Sequence, residues 1–83
     1  MIVRSEHTRV ATTDITGARK EQGDALIVEL GGDPAVRDMR VSEDGLTTII
    51  DRLWSSMESA ESWCQYVLSK EGTISAECII VEA

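Results

Sequence analysis

The stretch from Val36 to Trp54 leaves little freedom in how it can fold. Arg37, Met39 and Val41 alternate with Val36, Asp38, Arg40 and Ser42, the two-residue period of a strand. Glu43-Asp44-Gly45 follows, and an Asp-Gly pair between two strand-like runs marks a tight turn, because glycine accepts the positive φ that such a turn needs. Leu46 to Trp54, with Ile49, Ile50 and Leu53, then reads as the returning strand. A two-stranded hairpin is marginal in water by itself, so the remaining residues must supply further strands or helices to cover it.

After the hairpin the period changes. Ser55 and Glu58 stand three apart, the spacing of a capping box. Ala60, Trp63, Cys64, Val67 and Leu68 then fall on one helical stripe, with Glu61, Gln65 and Ser69 on the wet side. Lys70 in the last turn and Gly72 beyond it read as the helix end. Thr73 to Glu82 reads as a final strand with a dense apolar end, Ile79-Ile80-Val81.

Ahead of the hairpin, Ile2 to Val10 reads as a strand, and Thr12-Thr13-Asp14 offers side-chain oxygens to cap a helix. That helix is predicted from about Ile15 to Leu30, with Ile15, Ala18, Gln22, Leu26 and Leu30 on one face. Gly17 and Gly23 each weaken it by about 1 kcal/mol relative to alanine, and Ala25 to Val28 would also suit a strand. Gly31-Gly32-Asp33-Pro34 breaks the chain under either reading. Residues 1–83 therefore read as a single domain, since a chain of 83 residues has room for one core.

Composition narrows the partners. The formal charge is −7, from 15 acidic and 8 basic residues, and the basic residues do not cluster in sequence as a phosphate backbone requires. Nucleic acid and anionic membranes are not expected partners. The longest apolar runs, Ala25–Val28 and Cys78–Val81, fall far short of a membrane span, and no apolar leader follows Met1, so the expected location is the cytoplasm. Cys64 and Cys78 lie in apolar patterns on a helix and a strand and are expected as unbridged buried thiols. With one histidine and no Cys-x-x-Cys, no metal site is expected, and no cofactor either.

A few residues stand out as candidates for chemistry. His7 is the only side chain with an ordinary pKa near neutrality, and beside a cavity it would serve as a general base; the plainer reading is an exposed strand residue. Asp51 and Arg52 are adjacent on a strand and must point to opposite faces, so one of them meets an apolar layer. His7, Arg52 and Trp54 are the catalytic candidates; Arg40, Asp51 and Trp63 are the candidates for holding a ligand. Structural ion pairs and core aromatics are the plainer readings of these. The six glycines form neither a dinucleotide fingerprint nor a phosphate loop.

Strand, helix, hairpin, helix, strand is the ferredoxin-like βαββαβ plan, an α+β fold whose antiparallel four-stranded sheet carries two helices on one face. Leu53-Trp54-Ser55-Ser56-Met57-Glu58-Ser59-Ala60-Glu61-Ser62-Trp63 resembles the dimeric α+β barrel superfamily, and within it the antibiotic-biosynthesis-monooxygenase-like proteins. That resemblance implies two copies packed sheet against sheet. The monooxygenase and haem-degrading branches, as the resemblance implies them, position substrate with an Asn and line their cavities with aromatics. This chain has no Asn and no Phe, so no family catalytic residue carries over to it.

The adjacent Ile49 and Ile50, and the run Ile79 to Val81, place apolar groups on both faces of the sheet, although helices cover only one. The exposed face is therefore expected to meet a second copy in a homodimer. The expected function is a small dimeric binding or assembly module with no catalytic set in its sequence. Alternatives are a cofactor-independent monooxygenase or isomerase acting on a small aromatic molecule, and a docking subunit of a larger complex. A cavity beside His7, Arg40 or Arg52 and Trp54 would favour the enzyme and a small-molecule ligand; a filled core would favour the module.

Overall fold

The computed structural model describes residues 1–11 and 17–83, and the side chains of 1–11 and 20–83. The elements run β1 (Ile2–Arg9), α1 (Gly17–Leu30), β2 (Asp38–Val41), β3 (Thr47–Leu53), α2 (Met57–Leu68) and β4 (Thr73–Glu82). The four strands form one sheet in the order β2-β3-β1-β4, with every neighbouring pair antiparallel. This is the ferredoxin-like α+β arrangement. The expected cap at Thr12-Thr13-Asp14 and the helix position Ile15 lie outside the described residues, as does the side chain of Ala18.

The hairpin closes as its sequence requires. Ser42 N–H donates to the Thr47 carbonyl at 2.9 Å, and Gly45 takes φ 74°. The Asp44 carboxylate accepts from the Leu46 N–H at 2.9 Å and from the Ser42 hydroxyl at 2.6 Å, fixing the loop from inside. These two bonds hold Asp44 below the usual carboxylate pKa, the serine contributing most.

Register assigns every strand residue to a face, because directly paired residues point the same way. Val3 pairs with Arg52 and Ile80, Ser5 with Ile50 and Cys78, and His7 with Thr48 and Ala76. Val3, Ser5 and His7 are buried, so these rows form the inner face beneath the helices. Met39 and Val41 join them through Ile50 and Thr48. The outer face carries Arg4, Asp51, Ile49 and Ile79. Ile49 and Ile50 do lie on opposite faces, and it is Ile49 that faces outward.

α2 lies over β4 and β1 and buries Ala60, Trp63, Cys64 and Val67 against them. Leu68, expected on this stripe, is 40% exposed as the last residue of the helix, next to the C-cap Ser69. The cap also differs from the expected Ser55–Glu58 box. Ser56 is the N-cap, its hydroxyl accepting from the Ser59 N–H at 3.1 Å, and Glu58 sits in the first turn, where a carboxylate meets the positive end of the helix dipole. Gly72, with φ 88°, belongs to the turn into β4, where the Thr73 N–H donates to the Lys70 carbonyl.

α1 ends in a Schellman motif. The Gly31 N–H donates to Val28 and the Gly32 N–H to Ile27, with Gly31 at φ 100°. The buried face of α1 is turned by one residue from the expected one: Ile27 is 1% exposed, Leu26 and Leu30 only flank the core, and Gln22 is exposed. The helix approaches α2 and, at backbone level, no strand. Beyond it, Gly32 lies against the Trp54 ring and Ile27, and the chain then runs beside the end of β3. Val3 and Ile27, both 1% exposed, each contribute roughly 1.5–3 kcal/mol by burial.

These two glycines should respond in opposite directions to the same substitution. In Gly32→Ala the new Cβ would stand 2.7 Å from the Trp54 ring and 2.8 Å from Ile27. Such crowding of two buried groups is expected to destabilise by about 1–3 kcal/mol. In Gly23→Ala the Cβ would meet Trp63 at an ordinary 3.6 Å, and removing a mid-helix glycine is expected to stabilise by about 0.5–1 kcal/mol. Urea unfolding of both variants checks the signs.

Candidate functional site

Because α1 rests on α2 rather than on the sheet, the inner face over β2 and β3 is incompletely covered. The result is a cleft of about 710 Å³, bounded by α1, the 34–36 segment, the inner faces of β1 to β3, and α2. That volume is in the range of small-molecule sites, roughly 300–1,000 Å³. His7, Ile27, Trp63 and Val67 form its buried floor, while Lys20, Val36, Met39 and Lys70 lie exposed at its rim.

His7, Arg52 and Trp63 meet in this cleft. His7 is held on the inner face by its strand pairing with Thr48 and Ala76 and is 7% exposed. Burial holds its pKa down at about 4, and the positive charges of Arg52 and Arg9 add to the effect. At neutral pH it is therefore an uncharged imidazole. Arg52 extends under α2 with its guanidinium carbon 5.9 Å from the centre of the Trp63 ring. Burial lowers its pKa from the ordinary arginine value, and Asp24 opposes that; the group stays a cation in any case.

Residues not singled out in the sequence complete the wall. Tyr66 stacks on Trp63 with ring centroids 5.4 Å apart, and Lys70 lies 4.5 Å above the Tyr66 ring. Their spacing from Trp63, three and then four further residues, is the helical signal that would have found them. Arg9 and Lys20 also line the cleft.

The other three candidates lie elsewhere. Asp51 faces outward and forms a two-pronged ion pair with Arg4, at 2.9 and 3.1 Å, which explains how a carboxylate on that face can be 7% exposed. Asp51 raises the pKa of Arg4 in return, through hydrogen bonding and charge. Arg40 is exposed on the outer face and approaches Asp38 at 3.4 Å. Trp54 is 3% exposed and is core: its backbone N–H donates to the Met1 carbonyl and its ring packs on Gly32. It also borders a separate, shallower depression of about 400 Å³ between Met1 and Ser55.

Both cysteines are free, and neither lines the cleft. Burial pushes the Cys64 thiol up to about 12, with the neighbouring Cys78 adding to the effect, so Cys64 is not poised as a nucleophile. Among the described residues no group of three or more His, Cys, Asp or Glu could hold a metal ion, and no helix is long and apolar enough to cross a membrane.

No protein-family model and no curated protein matches the chain. A solved structure similar to it is that of an uncharacterized NIPSNAP domain protein from Burkholderia xenovorans. The two are 12% identical with a TM-score of 0.39, and the match covers 100% of this chain and 95% of that one.

The state of His7 sets a pH dependence. Between its folded pKa of about 4 and its ordinary 6.5, the unfolded chain binds a proton that the folded chain does not. This contribution to stability is complete above about pH 6.5 and is lost as the pH falls toward 4, to the extent of about 3 kcal/mol. His7→Gln lacks it. The stability difference between parent and variant in urea unfolding should therefore shift against the parent by about that amount from pH 7 to pH 4, whereas a constant difference would place His7 in water.

Proposed function

We propose that this chain is a small-molecule-binding domain whose site is the cleft beneath α1 and α2. The observation that carries the reading is the meeting of His7, Arg52 and Trp63 in a cleft of about 710 Å³. A core filled by its own side chains would instead have pointed to a purely structural or assembly module.

The same reading includes a homodimer of the antibiotic-biosynthesis-monooxygenase-like, dimeric α+β barrel type, joined through the outer sheet face. On that face Ile79, paired with Arg4, is 59% exposed and Leu53, two residues beyond Asp51 on β3, is 39% exposed. Apolar groups around a satisfied ion pair make a surface suited to burial. Light scattering at micromolar concentration should give twice the 9.1 kDa chain mass, and Ile49→Glu should reduce it to one; a monomeric parent would contradict the dimer.

Adjacent residues on opposite faces separate the cleft from that outer surface. The neutral fluorophore 1-N-phenylnaphthylamine is expected to bind once per chain, to lose binding in Ile50→Trp, which fills the cleft, and to keep it in Ile49→Glu. The reverse pattern would remove the cleft as the site.

The meeting of His7 and the Arg52 cation in one cleft favours a second reading, a cofactor-independent isomerase. In it, ligand binding would have to raise the low pKa of His7 toward neutrality. His7 would take a proton from a carbon acid, leave an enolate facing the Arg52 cation, and return the proton at another carbon. In that case His7→Gln abolishes turnover while ligand binding persists.

A further inference from the structure

The charge lining the cleft is opposite to that of the protein. Among the described residues, the cations Arg9, Lys20, Arg52 and Lys70 line it, and the one carboxylate that does is Asp24. Asp24 is engaged by Lys20 at 2.7 Å. Among the described residues no carboxylate forms an ion pair with Arg52. An acidic chain has thus gathered four cations around one concave, partly apolar surface, one of them paired with Asp24.

A second observation is independent of charge. Among the described residues, three of the four buried side-chain polar atoms without a hydrogen-bond partner belong to cleft residues: His7 Nε2, Arg52 Nε and Trp63 Nε1. The last two can only donate. Buried donors without acceptors are costly, and they are satisfied by a guest that brings oxygen acceptors to them. The stacked Trp63 and Tyr66, with Ile50, Val67 and Met39 nearby, would cover a flat apolar body behind those oxygens.

We propose that the cleft takes a flat, largely apolar organic acid, its carboxylate or sulfonate held by Arg52 at the Trp63 edge and drawn in past Lys20 and Lys70. This assignment rests on the reading of the cleft as a small-molecule site and adds the chemical class of its occupant. Arg52 is the anchor, since it alone among the lining cations combines burial, an unpartnered donor and a place on the sheet. His7 completes the floor, its unpartnered Nε2 available for a hydrogen bond to the guest.

The test compares two probes of nearly equal shape, 2-naphthoate and 2-naphthalenemethanol, titrated into the full chain by calorimetry at pH 7. The acid is expected to bind about ten- to a hundredfold more tightly than the alcohol, the range for a charge-assisted hydrogen bond. Its affinity should fall with added salt, while that of the alcohol should not. Arg52→Met should bring the acid down to the level of the alcohol, and Arg40→Met, the same charge change on the outer face, should leave both unchanged. Should Arg52→Met unfold, Lys70→Met at the exposed rim must still weaken the acid selectively. Equal binding of acid and alcohol would overturn the chemical class and leave the cleft as a site. Acid binding that responds to Arg40→Met and not to Arg52→Met or Lys70→Met would also overturn it. Failure of both probes to bind at millimolar concentration would remove the small-molecule reading itself.

Discussion

The way two helices share one sheet face decides the rest of this structure. α2 carries the clean apolar stripe and takes the ground over β4 and β1, pressing Trp63 and Val67 onto the inner face. Among its described side chains α1 has Ile27 as its one fully buried anchor, and it leans on α2. Its glycines and charged residues give it no stripe with which to lie flat on β2 and β3. The half of the sheet nearest β2 is consequently covered only in part, and the cleft is the space that results.

That incomplete cover accounts for the chemistry of the lining. In a fully packed core, an inward-facing arginine opposite Val3 would require a buried partner. Here Arg52 instead lies against the Trp63 ring at the edge of a cleft, and His7 stays neutral two rows away. On the outer face the same strand solves its charge problem by another route, with Asp51 bound at two points by Arg4. Adjacent residues of one strand thus show a closed, satisfied charge on one side and an open one on the other.

Much of this was legible in the residues. Alternation around Asp44-Gly45 located the hairpin, the stripe from Ala60 to Val67 located α2, and the element order implied the four-stranded plan. Alternation also required Asp51 and Arg52 to face opposite ways, but only burial by the helices decides which of them faces inward. The inner face of α1 was misread because Leu26 and Ile27 have equal apolar character, and the Schellman turn at Gly31 with the close approach of Gly32 to Trp54 fixes the rotation. The cationic lining was not legible, since Arg9, Lys20 and Arg52 come from three elements and Lys70 from the turn after α2, and no local pattern joins them. Trp54 and Trp63 could not be told apart in sequence; both are buried in the core, and Trp63 alone of the two also lines the cleft.

The central claim is that the inner face over β2 and β3 is open to a ligand while the outer face is not its site. Backbone amide shifts of isotope-labelled protein, followed by NMR during a titration with 2-naphthoate, test this most directly. Changes concentrated at His7, Met39, Thr48, Ile50, Arg52 and Tyr66, with the intervening outward residues Glu6, Ile49 and Asp51 moving less, are the expected result. Changes centred on Arg4, Ile49 and Ile79, or an absence of saturable change anywhere in the chain, would contradict it.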